Sequence, residues 1–195
     1  MRLFVALDIA TDIRERIARF LDGVRELAPD DRWVRPESLH VTLKFIGEQP
    51  DASVDQIRKA LSSIESSAIE MSFRGYGFFP TAKAPRVFWI GIDAGANIVA
   101  LAAMVDEKLG QVGIAKETHA YSAHLTLARA AGGSGAPRWR KGDGPNPALQ
   151  RLQEKLAAVP ASEFGTMTAH EFFLYQSQLG RGGSRYTKLA AFGLR

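Results

Sequence analysis

The chain opens on RLFVALDI, an apolar run rich in branched and aromatic residues that ends where Asp8 to Thr11 offer turn and cap chemistry. It predicts a buried strand. From Thr11 the residues Ile13, Ile17, Phe20, Leu21, Val24 and Leu27 recur every three or four positions with charges between them. That spacing predicts an amphipathic helix capped by Thr11 or Asp12. In WVRPESLHVTLKFIGE the period changes: His40, Thr42 and Lys44 alternate with Val41, Leu43 and Phe45, as on a strand with one apolar face. A second helix is predicted through Val54, Ile57, Leu61 and Ile64, and IEMSFRGYGFFP predicts another strand.

After the turn TAKAP the order begins again. PRVFWIGID predicts a buried strand ending in Asp93 as the first ended in Asp8, NIVALAAMVDEKLGQVG a well-covered helix, and HAYSAHLTLARA a strand. The Gly- and Pro-rich GGSGAPRWRKGDGPNP leads into a helix over ALQRLQEKLAAV, with Asn146 as N-cap and Pro147 at the first helical position. TAHEFFLYQSQL predicts the third strand, and SRYTKLAAFGL an additional one after GRGGS. Strand, helix, His-x-Thr strand, helix, strand thus occurs twice, with an offset of about 84 to 85 that slips only at the Gly-rich loop. Two copies are too few for a solenoid. The prediction is an α+β chain, one bilobal domain over 1–195, whose pseudo-repeat halves, approximately 1–82 and 83–195, pack around a pseudo-twofold axis.

A length of 195 residues with 46% hydrophobic and 24% charged content fits one globular domain or two small lobes sharing a core. The absence of cysteine removes disulfides, a thiolate nucleophile and Cys-based zinc sites. The first apolar run is too short for a signal-peptide core, and no stretch approaches the roughly 20 apolar residues that span a bilayer. A soluble, cytoplasmic protein without a membrane partner is expected, and a monomer. The formal charge of +4 suits a polyanionic partner, although many basic proteins bind no nucleic acid.

The chemistry concentrates in HVTL at 40–43 and HLTL at 124–127. With four histidines and eight threonines in the chain, two His-x-Thr pairs arise by chance roughly one time in a hundred. On a strand His40 and Thr42 share a face, as do His124 and Thr126, while Val41, Leu43, Leu125 and Leu127 form the layer behind. A pseudo-axis that brings the strands together gives one cleft with two imidazoles and two hydroxyls. Two imidazoles suit general acid and general base catalysis near neutral pH, and the hydroxyls can donate hydrogen bonds to an anion held between them. A phosphodiester fits. The symmetric motifs leave open which histidine is the acid. A metal site is the rival, but neither strand sets a carboxylate beside its histidine and no HExxH or His-x-His pattern occurs.

WVRPESLHVTLKFIGE, FFPTAKAPRVFWIGI, AHLTLAR and FFLYQSQLGRGGSRYTKL, in this order, resemble the RNA 2′,3′-cyclic phosphodiesterase family, also called 2′-5′ RNA ligases, of the two-histidine phosphoesterase superfamily. The resemblance runs from about Arg2 to Leu194. It implies the two-histidine phosphoesterase fold, with two antiparallel sheets and outer helices around a central cleft, and neither metal nor cofactor. It implies hydrolysis of RNA-terminal 2′,3′-cyclic phosphate to 2′-phosphate, with His40 as proton donor, His124 as proton acceptor, and Thr42 and Thr126 on the phosphate. Reversible 2′-5′ ligation of tRNA halves is the related reaction. Where the family usually has Pro before the second histidine, this chain has Ala123. By the same resemblance Arg129 lies near the nucleotide, and Tyr186 borders the cleft. Phe45, at the place equivalent to Arg129, either stacks on a base or packs in the core.

Arg138, Trp139, Arg140 and Lys141 set three cations around one aromatic, which suits single-stranded RNA but is also an ordinary solvated loop. His119 and His170 lack a threonine partner and read as structural; on a regular strand His119 faces away from His124. Two other functions stay open: a protein that binds RNA ends without turnover, and a phosphodiesterase for small cyclic phosphates such as ADP-ribose 1″,2″-cyclic phosphate.

Overall fold

A computed structural model describes residues 1–81, 83–131, 146–160, 162–180 and 183–195. The order is β1 (Arg2–Leu7), α1 (Thr11–Val24), β2 (Arg32–Trp33), β3 (Val41–Glu48), α2 (Val54–Ser62), β4 (Ile69–Thr81), β5 (Ala84–Asp93), α3 (Gly95–Gly110), β6 (His124–Arg129), α4 (Pro147–Leu156), β7 (Glu163–Ala169), β8 (Glu171–Gly180) and β9 (Gly183–Gly193). Short 3₁₀ turns occupy Arg25–Leu27, Pro36–Ser38 and Asp51–Ser53. Arg138, Trp139, Arg140 and Lys141 lie outside the described residues.

The strands form a four-stranded sheet, β3-β1-β8-β9, and a five-stranded sheet, β2-β6-β5-β4-β7. Every pairing is antiparallel. The two sheets repeat one plan: each motif strand lies beside the strand that opens its repeat, and β3 packs against β6 where the sheets meet. The third strand of the first repeat, β4, sits in the second repeat's sheet. The helices interleave likewise: α1 packs on β7 and α4 on β5, while α3 packs on β3 and α2 on β9.

The helix-facing side chains form one continuous core. Leu3, Val5 and Leu7 of β1 join it with Ile13, Ile17 and Leu21 of α1 and Leu101, Val105 and Leu109 of α3. The alternate residues of β1, Phe4 and Ala6, point to the other face and cluster with Phe173 and Tyr175 of β8. From that second face Tyr175 lines a cavity together with His40. Burying each large aliphatic side chain contributes about 1.5–3 kcal/mol, so the helix-facing layer dominates stability. Among the described residues no helix is long and apolar enough to cross a membrane.

Asn146 caps α4 as predicted, its Oδ1 accepting from the Leu149 N–H at 2.8 Å, with Pro147 in the first turn. At α1 the N-cap position falls on Ala10, with no side-chain cap, because Thr11 and Asp12 already lie inside the first turn. The single strand expected over TAHEFFLYQSQL is two strands, separated at His170 and belonging to different sheets. The polar pair His170 and Glu171 marks the change; Phe172 to Tyr175 are buried in succession and carry no alternation to reveal it.

Strict alternation along the first motif also fails. Pairing with β1 runs through Val41, Thr42, Lys44 and Phe45, with Leu43 passed over, so the strand bulges there and the faces exchange. Lys44 turns into the helix layer, where its side chain is 1% exposed and its Nζ bonds Asp106 of α3 and the Ala115 carbonyl at 2.8 Å. Phe45 comes round to the His40 side. Both rings meet Phe4, with centroids at 6.1 and 4.7 Å, and Phe45 is 53% exposed, so it is not a core residue. The second motif bulges at the matching place: β5 pairs with Thr126 and then Ala128, passing over Leu127. Arg129, an odd five residues from His124, thereby returns to the face of His124.

Candidate active site

Both histidines are fixed by the same local device. In SLHVT and SAHLT the residue two before the histidine turns its carbonyl back to the ring: Nδ1 of His40 lies 2.7 Å from the Ser38 oxygen, and Nδ1 of His124 lies 2.8 Å from the Ser122 oxygen. A carbonyl only accepts, so Nδ1 carries the proton and donates it, and in the neutral ring Nε2 is the nitrogen with a lone pair. Serine at 38 and 122 extends the sequence repeat to Ser-x-His-x-Thr, but the bond uses the main chain, so the extra residue carries no chemistry of its own.

Aromatic rings hold the imidazoles from the side. His40 meets Tyr186 of β9 edge-on, with centroids at 5.1 Å and planes at 86°, and His124 meets Phe79 of β4 with the same separation and angle. Phe79 in turn lies tilted on Trp89, at 5.0 Å. Gly77 makes room for that indole: a Cβ there would come 2.2 Å from the ring. Sequence reasoning singled out Tyr186 but missed Phe79, Trp89 and Gly77, which support the His124 ring from strands that carry no motif.

Thr42 and Thr126 sit half-buried, opposite Ala6 and Trp89 in the neighbouring strands. The two motif strands are joined directly, since the Tyr121 hydroxyl, just upstream of β6, donates to the Thr42 carbonyl at 3.0 Å. Residues 119–123 precede β6 and are not strand, so the face argument for His119 does not apply; that ring is exposed, with Nδ1 2.7 Å from the Thr118 hydroxyl. His170 is exposed at the junction of β7 and β8.

Burial pushes the His40 imidazole down to about 4; the Ser38 carbonyl opposes this, the Arg129 guanidinium adds to it, and Asp8 and Arg14 act in opposite senses. His124 is lowered also, by burial first, against the Ser122 carbonyl and with help from Arg129. One guanidinium thus acts on both rings. An anion beside it would offset its charge and raise both imidazoles. Among the described residues no group of three or more His, Asp or Glu could hold a metal ion.

The arrangement has relatives. The profile described as LigT like phosphoesterase matches residues 7–89. The chain is 35% identical over 195 residues to the RNA 2′,3′-cyclic phosphodiesterase of Archaeoglobus fulgidus, covering 98% of this chain and 99% of that one. It is 30% identical to the protein of the same name from Methanothermobacter thermautotrophicus, covering 100% and 99%. In structure it superposes on E. coli LigT complexed with 3′-AMP with a TM-score of 0.74 at 24% identity, covering 99% of this chain and 97% of that chain. With near-complete coverage at this identity, and a matching fold, the chain belongs to the RNA 2′,3′-cyclic phosphodiesterase family of LigT-like, two-histidine phosphoesterases.

Proposed function

We propose that this protein hydrolyses the 2′,3′-cyclic phosphate at RNA ends to a 2′-phosphate, with His40 and His124 as acid and base. The observation that carries this reading is the matched tethering of both Nδ1 atoms by main-chain carbonyls, at the starts of two strands that pack together, which leaves both Nε2 atoms for proton transfer. Water attacks phosphorus as His124 Nε2 takes its proton; the bond from phosphorus to O3′ breaks as His40 Nε2 delivers a proton to that oxygen. Thr42 and Thr126 donate hydrogen bonds to the non-bridging oxygens, where negative charge grows. His40 ends neutral and His124 protonated, and exchange with solvent restores the starting state.

A bound phosphate supplies what the free site lacks. His40 near 4 is a poor proton carrier at neutral pH, and the substrate anion, set against Arg129, lifts it toward the working range. Phe45 and Arg129, at matching places after the two bulges, offer a ring and a guanidinium plane to the terminal base, and Tyr186 borders the ribose. A 5′-hydroxyl in place of water would give a 2′-5′ bond by the same proton transfers, with tRNA halves as the RNA ends. Phosphorus NMR of the product from adenosine 2′,3′-cyclic phosphate tests the assignment. The 2′-phosphate alone is expected; a 3′-phosphate product would mean that O2′ leaves and that the proton donor is misassigned.

A further inference from the structure

Against His40 lies a cavity of about 580 Å³ whose lining does not include Phe45. Its lining comes from five places in the chain: Asp8 after β1, Arg14 of α1, the Glu37 to His40 segment, Tyr175 of β8, and Tyr186 to Lys188 of β9. The volume lies in the range of nucleotide-sized sites.

Part of this lining is consumed by the fold. Asp8 bridges Arg14 at 2.8 Å and Lys188 at 2.7 Å, and Arg14 also donates to the carbonyls of Pro36 and Ile9. Glu37 stands exposed at the rim, so charge is nearly balanced and attraction alone does not define the occupant. The unused donors do. Tyr175 is 6% exposed and stacks on Phe4 at 5.1 Å with planes 8° apart, yet its hydroxyl has no hydrogen bond among the described residues. Lys188 spends one N–H on Asp8 and rests over the Phe173 ring at 3.9 Å, which leaves further donors directed outward. A buried phenol, an ammonium and the Tyr186 ring put two donors and an aromatic surface on one side of the cavity, with Glu37 apart from them at the rim.

We infer that this cavity is the subsite for the nucleotide 5′ to the cyclic end, with Tyr175 and Lys188 donating to the phosphodiester that joins it to the terminal nucleotide. The inference rests on the reading above, because that reading fixes the direction. With O3′ at His40 and the terminal base toward Phe45 and Arg129, neither of which lines the cavity, the C5′ side of the ribose is left to face it. The substrate class is then an RNA end of at least two nucleotides, in preference to a free cyclic mononucleotide.

The test compares kcat/KM for a dinucleotide bearing a 2′,3′-cyclic phosphate with that for the corresponding cyclic mononucleotide. Wild type should favour the dinucleotide by about tenfold or more, as one or two hydrogen bonds to a charged group allow. Tyr175→Phe, which keeps the stacked ring, should cut that ratio severalfold, and Lys188→Met serves the same purpose should the first variant fail to fold. A wild-type ratio near one, or a ratio that these substitutions leave unchanged, overturns the subsite. If wild type turns over neither substrate, it is the phosphodiesterase reading that fails.

Discussion

His40 and His124 differ from an ordinary pair of surface histidines in two respects, a tethered Nδ1 and a shared cation. The tether is local and came from the chain's own repeat. The cation is not: Arg129 acts on His40 from the other sheet. Because both folded pKa values lie below 6.5, the free enzyme with an acidic His40 and a neutral His124 is most populated on the acid side of pH 6.5. The kcat/KM profile should therefore peak there and fall through neutrality, since it reports the free enzyme. Removing the guanidinium in Arg129→Gln stabilises both protonated rings and should move the profile to higher pH; a profile that stays in place or moves down contradicts this electrostatic role. His-x-Thr was legible because two polar types recur at matched places. Phe79, Trp89 and Tyr175 were not, since an aromatic in a strand reads the same whether it faces core or cleft.

At the scale of elements, the two bulges decide what the motifs present. Each bulge exchanges the faces after the third motif residue, so that Phe45 and Arg129 join the histidines while Lys44 and Ala128 turn inward. Periodicity finds strands but not bulges, because one unpaired residue changes parity without changing composition. The inward Lys44 has no counterpart in the second motif, where Ala128 fills the place. Its bonds to Asp106 and Ala115 tie α3 and the segment leading to His124 onto the back of β3. Asp106→Ala leaves the ammonium of Lys44, whose side chain is 1% exposed, with only the Ala115 carbonyl and the Glu117 carboxylate at 3.8 Å, so it should cost about 1.5–3 kcal/mol in urea unfolding. Lys44→Met removes that charge and leaves Asp106 partly open to water, so it should cost less; the reverse order would refute the anchoring role.

Over the whole molecule the duplication is written in the order of elements, and two matching sheets follow from it. What the order did not reveal is the interleaving. Periodicity tells which face of α1 is apolar but not which sheet receives it, and α1 crosses to β7 just as β4 crosses to β5. Through these exchanges the motif strands meet at the boundary of the sheets. The central claim is that each ring performs a separate proton transfer there without a metal. Its most direct test is kcat on adenosine 2′,3′-cyclic phosphate in EDTA for wild type, His40→Ala and His124→Ala. Full wild-type activity in EDTA and a loss of about 10²- to 10⁴-fold in each variant, with little change in substrate binding, are predicted. Activity abolished by EDTA, or retained by either variant, would contradict it.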